Sequence, residues 1–286
     1  MRKGAFASIA AAVSLFMATT AFGAVTLRAP ESAAKGDAFE ATATSDRKCD
    51  KIVFNWRGKD IPVKASPNAN GEHEARVLLP APLDEQSRAL KLSASDGSAS
   101  TAQANVRIFE KQRPSQKLKV DKKFVQPPAE VREKIKADRE KVRAALSQRL
   151  PERQWTLPFE KPVPGGVSSL FGMKRVFNGE TKSVHRGLDL RGATGTPIRA
   201  CADGQVALSD NLYYSGNAVY VNHGDGVFTA YLHMSKPLVK AGDLVKKGDV
   251  IGLVGATGRV TGPHLHLSMI VQGQGVDPQP FLKEAQ

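Results

Sequence analysis

Five of the six histidines in this 286-residue chain lie between His185 and His266. Four of them occupy three tight settings: His185-Arg-Gly-Leu-Asp189, Tyr231-Leu-His233 and His264-Leu-His266. These settings offer three nitrogen or oxygen donors for one divalent cation and leave two imidazoles for acid–base work. A hydrolytic zinc site needs that inventory: three protein ligands, one open position for water, and proton-transfer groups beside it.

Spacing narrows the arrangement without completing it. His264, His266, Ser268 and Ile270 alternate with Leu265, Leu267, Met269 and Val271. A strand is expected, with both imidazoles on one face and their Cα atoms ~6.6 Å apart. That reach suits two ligands of one ion as well as one ligand beside one catalytic group, and two strand histidines can also simply line a polar surface. On a straight strand His185 and Asp189 would be ~13 Å apart, too far for donors that each sit ~2 Å from one zinc. Arg186-Gly187-Leu188 must therefore bend if both are ligands, and Gly187 permits it. Asp189 could instead fix a turn or orient a ligand histidine. His233 follows an apolar strand and alone reads as packed or turn-facing. His223, in Asn222-His-Gly-Asp-Gly226, reads as a local structural residue.

The elements that must position these residues are strands. From 157 to 286 the sequence is glycine-punctuated, with β-rich runs at Gly204–Leu208, Ala218–Asn222, Val227–Leu232 and Pro263–Val271 and almost no helical periodicity. An antiparallel β domain is expected. From 24 to 110, runs at Phe39–Thr44, Lys51–Trp56, Ala75–Leu79, Ala89–Ala94 and Ala102–Phe109 alternate with turn chemistry at Asn68–Gly71 and Ser95–Gly97. This pattern predicts a small immunoglobulin-like β-sandwich that binds, positions or covers, since it holds no acid pair, metal cluster or phosphate loop. Between the two, 111–156 reads as a basic linker followed by a charged helix that opens at Pro127-Pro128 and ends before Pro151. Val131, Ile135, Val142 and Leu146 give that helix one apolar stripe. The chain is expected to be mainly β.

Residues 1–23 read as a secretory signal peptide: Arg2 and Lys3 precede a small, apolar run to Phe22, and Ala21-Phe22-Gly23 offers a cleavage site. The run is Ala-rich and borderline for spanning, which favours cleavage over an anchor. No later segment is apolar for long enough to cross a bilayer. An exported protein of the periplasm or cell envelope, or a secreted one, is expected, with no transmembrane segment after cleavage. Lys and Arg outnumber Asp and Glu by 41 to 28, a formal net charge of +13, which favours polyanionic partners. Export argues against nucleic acid and for carboxylate-bearing wall peptides and other anionic envelope polymers. Cys49 and Cys201 fall in different predicted domains, so two free thiols are preferred over a disulfide.

His185-x-x-x-Asp189, Tyr231-x-His233 and His264-x-His266, in this order, resemble the lysostaphin-type zinc endopeptidases of peptidoglycan. Ser169-Leu-Phe-Gly172, Asn178-Gly179, Val245-x-x-Gly248 and Gly255-Ala-Thr-Gly258 followed by Gly262-Pro-His-Leu-His266 frame the match, which spans roughly 157–282. The resemblance implies one zinc per chain held by His185, Asp189 and His266, with His233 and His264 as the catalytic pair. It also implies zinc-activated water attacking peptide bonds in cross-links or stem peptides. A tyrosine found just upstream of the first ligand in some relatives has no counterpart between Gly179 and Val184. The alternative function is an inactive adaptor that activates another wall hydrolase, but such relatives lack ligands that this chain keeps. Val245-Lys-Lys-Gly248 resembles the hairpin of biotin and lipoyl carriers. The family's flanking pattern is missing, so it reads as a turn.

Overall fold

A computed structural model describes residues 15–18, 25–150, 152–179 and 181–284. Apart from a short strand at Leu15–Ala18 paired with Val25–Pro30, the expected signal peptide lies outside the described residues. Two compact units form. One comprises the described residues up to Ala33 with Phe39–Val77 and Ser87–Ile108; the other comprises Ala34–Ala38, Leu78–Gln86 and the described residues from Phe109 onward.

In the first unit, alternation of apolar and polar residues builds two facing sheets. One orders Leu15–Ala18, Val25–Pro30, Ala38–Ser45, His73–Pro80 and Ser66–Pro67; the other orders Ser32–Ala34, Thr101–Phe109, Ala89–Ser95, Lys51–Trp56 and Lys59–Lys64. Leu27, Ala41, Ile52, Phe54, Leu92 and Val106 point inward and are buried, as period-two alternation requires. All five strand runs expected here from the sequence are strands.

The second unit is centred on one eight-stranded sheet. Its path runs Val167–Ser169, Leu188–Arg191, His264–Val271, Val227–Met234, Gly216–Asn222, Gly204–Leu212 and Leu244–Val245, with Gln274–Val276 paired to His264–Val271. Neighbouring strands along this sheet run antiparallel. Leu188, Leu190, Val221, Tyr231, Leu265 and Leu267 fill the core on one face. Ala218, Phe228, Ala230 and Ile270 lie on the other, where the helix Arg132–Ser147 packs through Ala145, Val142 and Leu146. His264 and His266 share that second face with Ile270 by the strand's alternation. The helix therefore covers part of the face and the histidines occupy another part.

The stretch expected as a basic linker contributes structure to this unit. Ser115–Leu118 pairs in parallel with Lys174–Phe177, which in turn pairs with Thr181–Val184. Among the described residues no helix is long and apolar enough to cross a membrane.

Candidate active site

Sheet register brings the site together. Asp189 lies opposite His266, and His266 lies opposite Leu232 on its other side. Cross-strand partners share a face, so Asp189 and His266 emerge side by side, with His264 and Ser268 two residues to either side of His266. His185 precedes this strand and is held by backbone bonds: its amide donates to Met173 O (2.9 Å), and its carbonyl accepts from Gly172 N (2.7 Å). A Cβ at Gly187 would lie 2.3 Å from His266 Nε2 and 2.7 Å from the Leu267 carbonyl. The glycine is needed because the chain passes against an imidazole. This close approach adds to the bend that Gly187 permits.

His233 reaches the site by breaking the strand's rule. Its neighbour Leu232 already takes the site face, so a regular strand would turn His233 away. Instead the ladder pairs Val219 with Tyr231 but Asn217 with Met234, which leaves one extra residue on the histidine's strand. His233 itself has φ +67°, a left-handed conformation uncommon for a residue with a Cβ. This bulge re-aims the side chain. The His233 ring centroid sits 5.2 Å from that of His264 and 5.8 Å from that of His266.

The surrounding hydrogen bonds fix which nitrogen of each ring carries hydrogen. A backbone carbonyl can only accept, so His185 Nδ1 donates to Leu170 O (2.7 Å), His233 Nδ1 to Thr257 O (2.9 Å) and His264 Nδ1 to Gly262 O (2.8 Å). Ser268 Oγ donates to Arg186 O (3.0 Å) and therefore accepts from His266 Nε2 (3.0 Å). In the neutral form each ring turns its other nitrogen, a lone pair, toward the centre. His185 Nε2 and His266 Nδ1 are 3.0 Å apart, and each lies 2.8–2.9 Å from Asp189 Oδ1. Two lone pairs and a carboxylate oxygen at such distances repel unless a cation stands among them. The donor set, two imidazoles and one carboxylate with positions left open, suits zinc, and these three residues form a cluster able to hold a metal ion.

Burial opposes the Asp189 charge, yet its contacts with His185 and His266 outweigh burial and hold the carboxyl far below its ordinary pKa. Arg175 Nη2 reinforces this from the other side, 2.5 Å from Asp189 Oδ2 and 2.9 Å from Ser169 Oγ. Burial, together with the neighbouring His266 and His264, pushes His233 down to about 3. Its ring is thus neutral at neutral pH, as a base must be. His264 Nε2 stands 3.7 Å from Asp189 Oδ1.

All five residues singled out from the sequence converge in one cleft of about 710 Å³. Ser268, Thr257, Arg175 and Arg259 were not singled out. Ser268 carried a signal, since it lies in phase with His264 and His266. Thr257 and Arg259 are placed by loop geometry, and Arg175 by the long-range pairing of its strand Lys174–Phe177, neither of which spacing encodes. His223 stands apart. It is fully buried, bonded to Asp203 O and Thr229 Oγ1 (2.7 Å each), and burial lowers it to about 4. Cys49 and Cys201 are free thiols, and burial pushes Cys201 up to about 12. The hairpin at Lys246 and Lys247 is tied down by Asp203 and Asp249, as expected of a turn.

Residues 183–278 match peptidase family M23. The peptidoglycan DD-endopeptidase ShyC of Vibrio cholerae is 45% identical over 115 residues, covering 40% of this chain and 26% of that protein. The DD-carboxypeptidase/endopeptidase Mpg of Neisseria meningitidis is 43% identical over 112 residues, covering 39% and 26%. The match thus spans about a quarter of the length of these curated relatives. A crystal structure from Pseudomonas aeruginosa, assigned to peptidase M23, superimposes with a TM-score of 0.66 and 28% identity over 87% of this chain and 94% of that one. Over residues 183–278 the chain carries a peptidase M23 domain, of the lysostaphin-type family.

Proposed function

We propose that the chain is an exported zinc metalloendopeptidase that hydrolyses peptide bonds in peptidoglycan cross-links or stem peptides. The observation that carries this reading is the inward convergence of lone pairs on one carboxylate oxygen, each tautomer set by a bond on the far side of its ring. The wall substrate is supported by the relatives, which are described as peptidoglycan DD-endopeptidases. Export is supported by the signal-like segment and by the basic charge, which suits an anionic wall.

His185 Nε2, Asp189 Oδ1 and His266 Nδ1 would hold one zinc. When bound, zinc would supply Lewis acidity, lowering the pKa of water and polarising the scissile carbonyl. His233 presents Nε2 as the group that takes the proton from the attacking water, with Nδ1 braced on Thr257 O. His264, braced on Gly262 O, stabilises the developing oxyanion or returns a proton to the leaving amine. Arg175 keeps Asp189 ionised and oriented.

The test combines zinc content with amine release from purified wall material. His233→Ala should keep one zinc and lose turnover, whereas Asp189→Ala should lose both. Full activity in His233→Ala would remove it as the base. A wild-type chain that binds no zinc would favour the adaptor reading.

A further inference from the structure

The cleft that holds the histidines is cationic beyond what they require. Arg175, Arg186, Arg191 and Arg259 line it, and among the described residues that line it Asp189 is the only acidic one. Arg175 is committed to Asp189. Arg259 is not committed. Its guanidinium carbon sits 4.7 Å from the Phe177 ring centroid and 4.9 Å from that of Tyr214, and among the described residues no carboxylate or other oxygen accepts from its side chain. The backbone presents it deliberately. Gly258 has φ +76°, a Cβ there would lie 2.4 Å from Gly216 N, and Arg259 N donates to Tyr214 O (2.8 Å). The same turn carries Thr257, whose carbonyl braces His233, so Arg259 is two residues from the anchor of the base.

We infer that Arg259 is the receptor for a carboxylate of the substrate peptide, placing it against the His233–His264 edge of the site. The inference rests on the reading of this cleft as a wall-peptide site and deepens it to an acidic peptide. A guanidinium held over aromatic rings keeps its N–H fork free, and that fork matches a carboxylate bidentately. Burial lowers the pKa of Arg259, and the nearby Arg175 adds repulsion; a bound anion relieves both. Stem peptides supply such a group, since they carry free carboxylates close to the bonds that join them.

The test measures binding to the full, zinc-supplemented chain by calorimetry, with a stem tetrapeptide bearing free carboxylates and the same peptide fully amidated. Wild type should bind the carboxylate form about 10-fold or more tightly than the amide. Arg259→Gln should erase most of that preference and Arg259→Lys only part, because a lysine keeps the charge without the fork. Arg191→Gln removes an equal charge from the exposed rim and should change the preference by only about 2-fold. Equal preference in wild type and Arg259→Gln, or equal losses in Arg259→Gln and Arg191→Gln, would overturn the inference. Cleavage of the cross-linked peptide, followed in parallel, tests the hydrolase reading separately. A chain that binds by this rule without cutting would retain the subsite and lose the enzyme.

Discussion

Replacing Ser268 by Ala tests the tautomer scheme where it depends on a single hydroxyl. Ser268 Oγ lies 3.0 Å from both His266 Nε2 and Arg186 O. Its proton goes to the carbonyl, so its oxygen accepts from His266 and sends the Nδ1 lone pair toward Asp189. Alanine removes that constraint: the ring can place its hydrogen on Nδ1, the wrong side for a metal, and can rotate. His185 keeps its own brace on Leu170 O, so binding should weaken without being lost. Loss of such an outer partner typically costs 10- to 100-fold in metal affinity, or about 1.4–2.7 kcal/mol. Competition against a chromogenic zinc chelator at neutral pH reads this directly, while thermal unfolding of the metal-free protein checks that the fold is intact. An unchanged zinc Kd in Ser268→Ala would refute the claim that this hydroxyl sets the His266 tautomer.

Other perturbations read the same structure elsewhere. Gly187→Ala places a methyl within 2.3 Å of His266 Nε2, so zinc affinity should fall by at least about 10-fold; wild-type affinity would mean the loop simply shifts aside. Asp138 is buried on the helix and accepts from Tyr213 N (2.7 Å) and Lys134 Nζ (3.1 Å). Asp138→Ala should cost about 1–3 kcal/mol in denaturant unfolding, because the Tyr213 amide loses its acceptor. His223 titrates near 6.5 when unfolded but at about 4 when folded. The unfolded chain therefore takes up the proton first, and stability falls as pH drops from about 6.5 to about 4, by about 3 kcal/mol in all. The stability difference between wild type and His223→Gln should shrink by that amount across this window, and parallel pH curves would show that the ring is not the titrating group.

The strands were legible because their burial alternates. Ile52, Phe54 and Trp56 in the first unit, and Leu265, Leu267 and Met269 in the second, point inward at every other position. The helix was legible from its stripe, although its position between Ile135 and Val142 holds Asp138, a buried carboxylate that apolar periodicity passes over. His264 and His266 could be placed on one face because period two demands it, and Ser268 came with them. His233 could not, since its orientation depends on a bulge and a left-handed φ that no local pattern signals. The Ser115–Leu118 strand was also hidden. Its polar and basic residues read as a linker, and its pairing with Lys174–Phe177 is a long-range event. Arg259 sits in the glycine-rich run Gly255–Gly262, whose turn geometry, and with it the placement of this side chain, no local periodicity signals.

The most direct measurement incubates the full chain, loaded with zinc, with a defined cross-linked dimer of stem peptides and weighs the products by mass spectrometry. Two fragments should appear whose combined mass exceeds the dimer by one water. They should vanish when a chelator strips the metal and return when zinc is restored. A dimer left intact by a chain that demonstrably holds one zinc at His185, Asp189 and His266 would contradict the proposed endopeptidase.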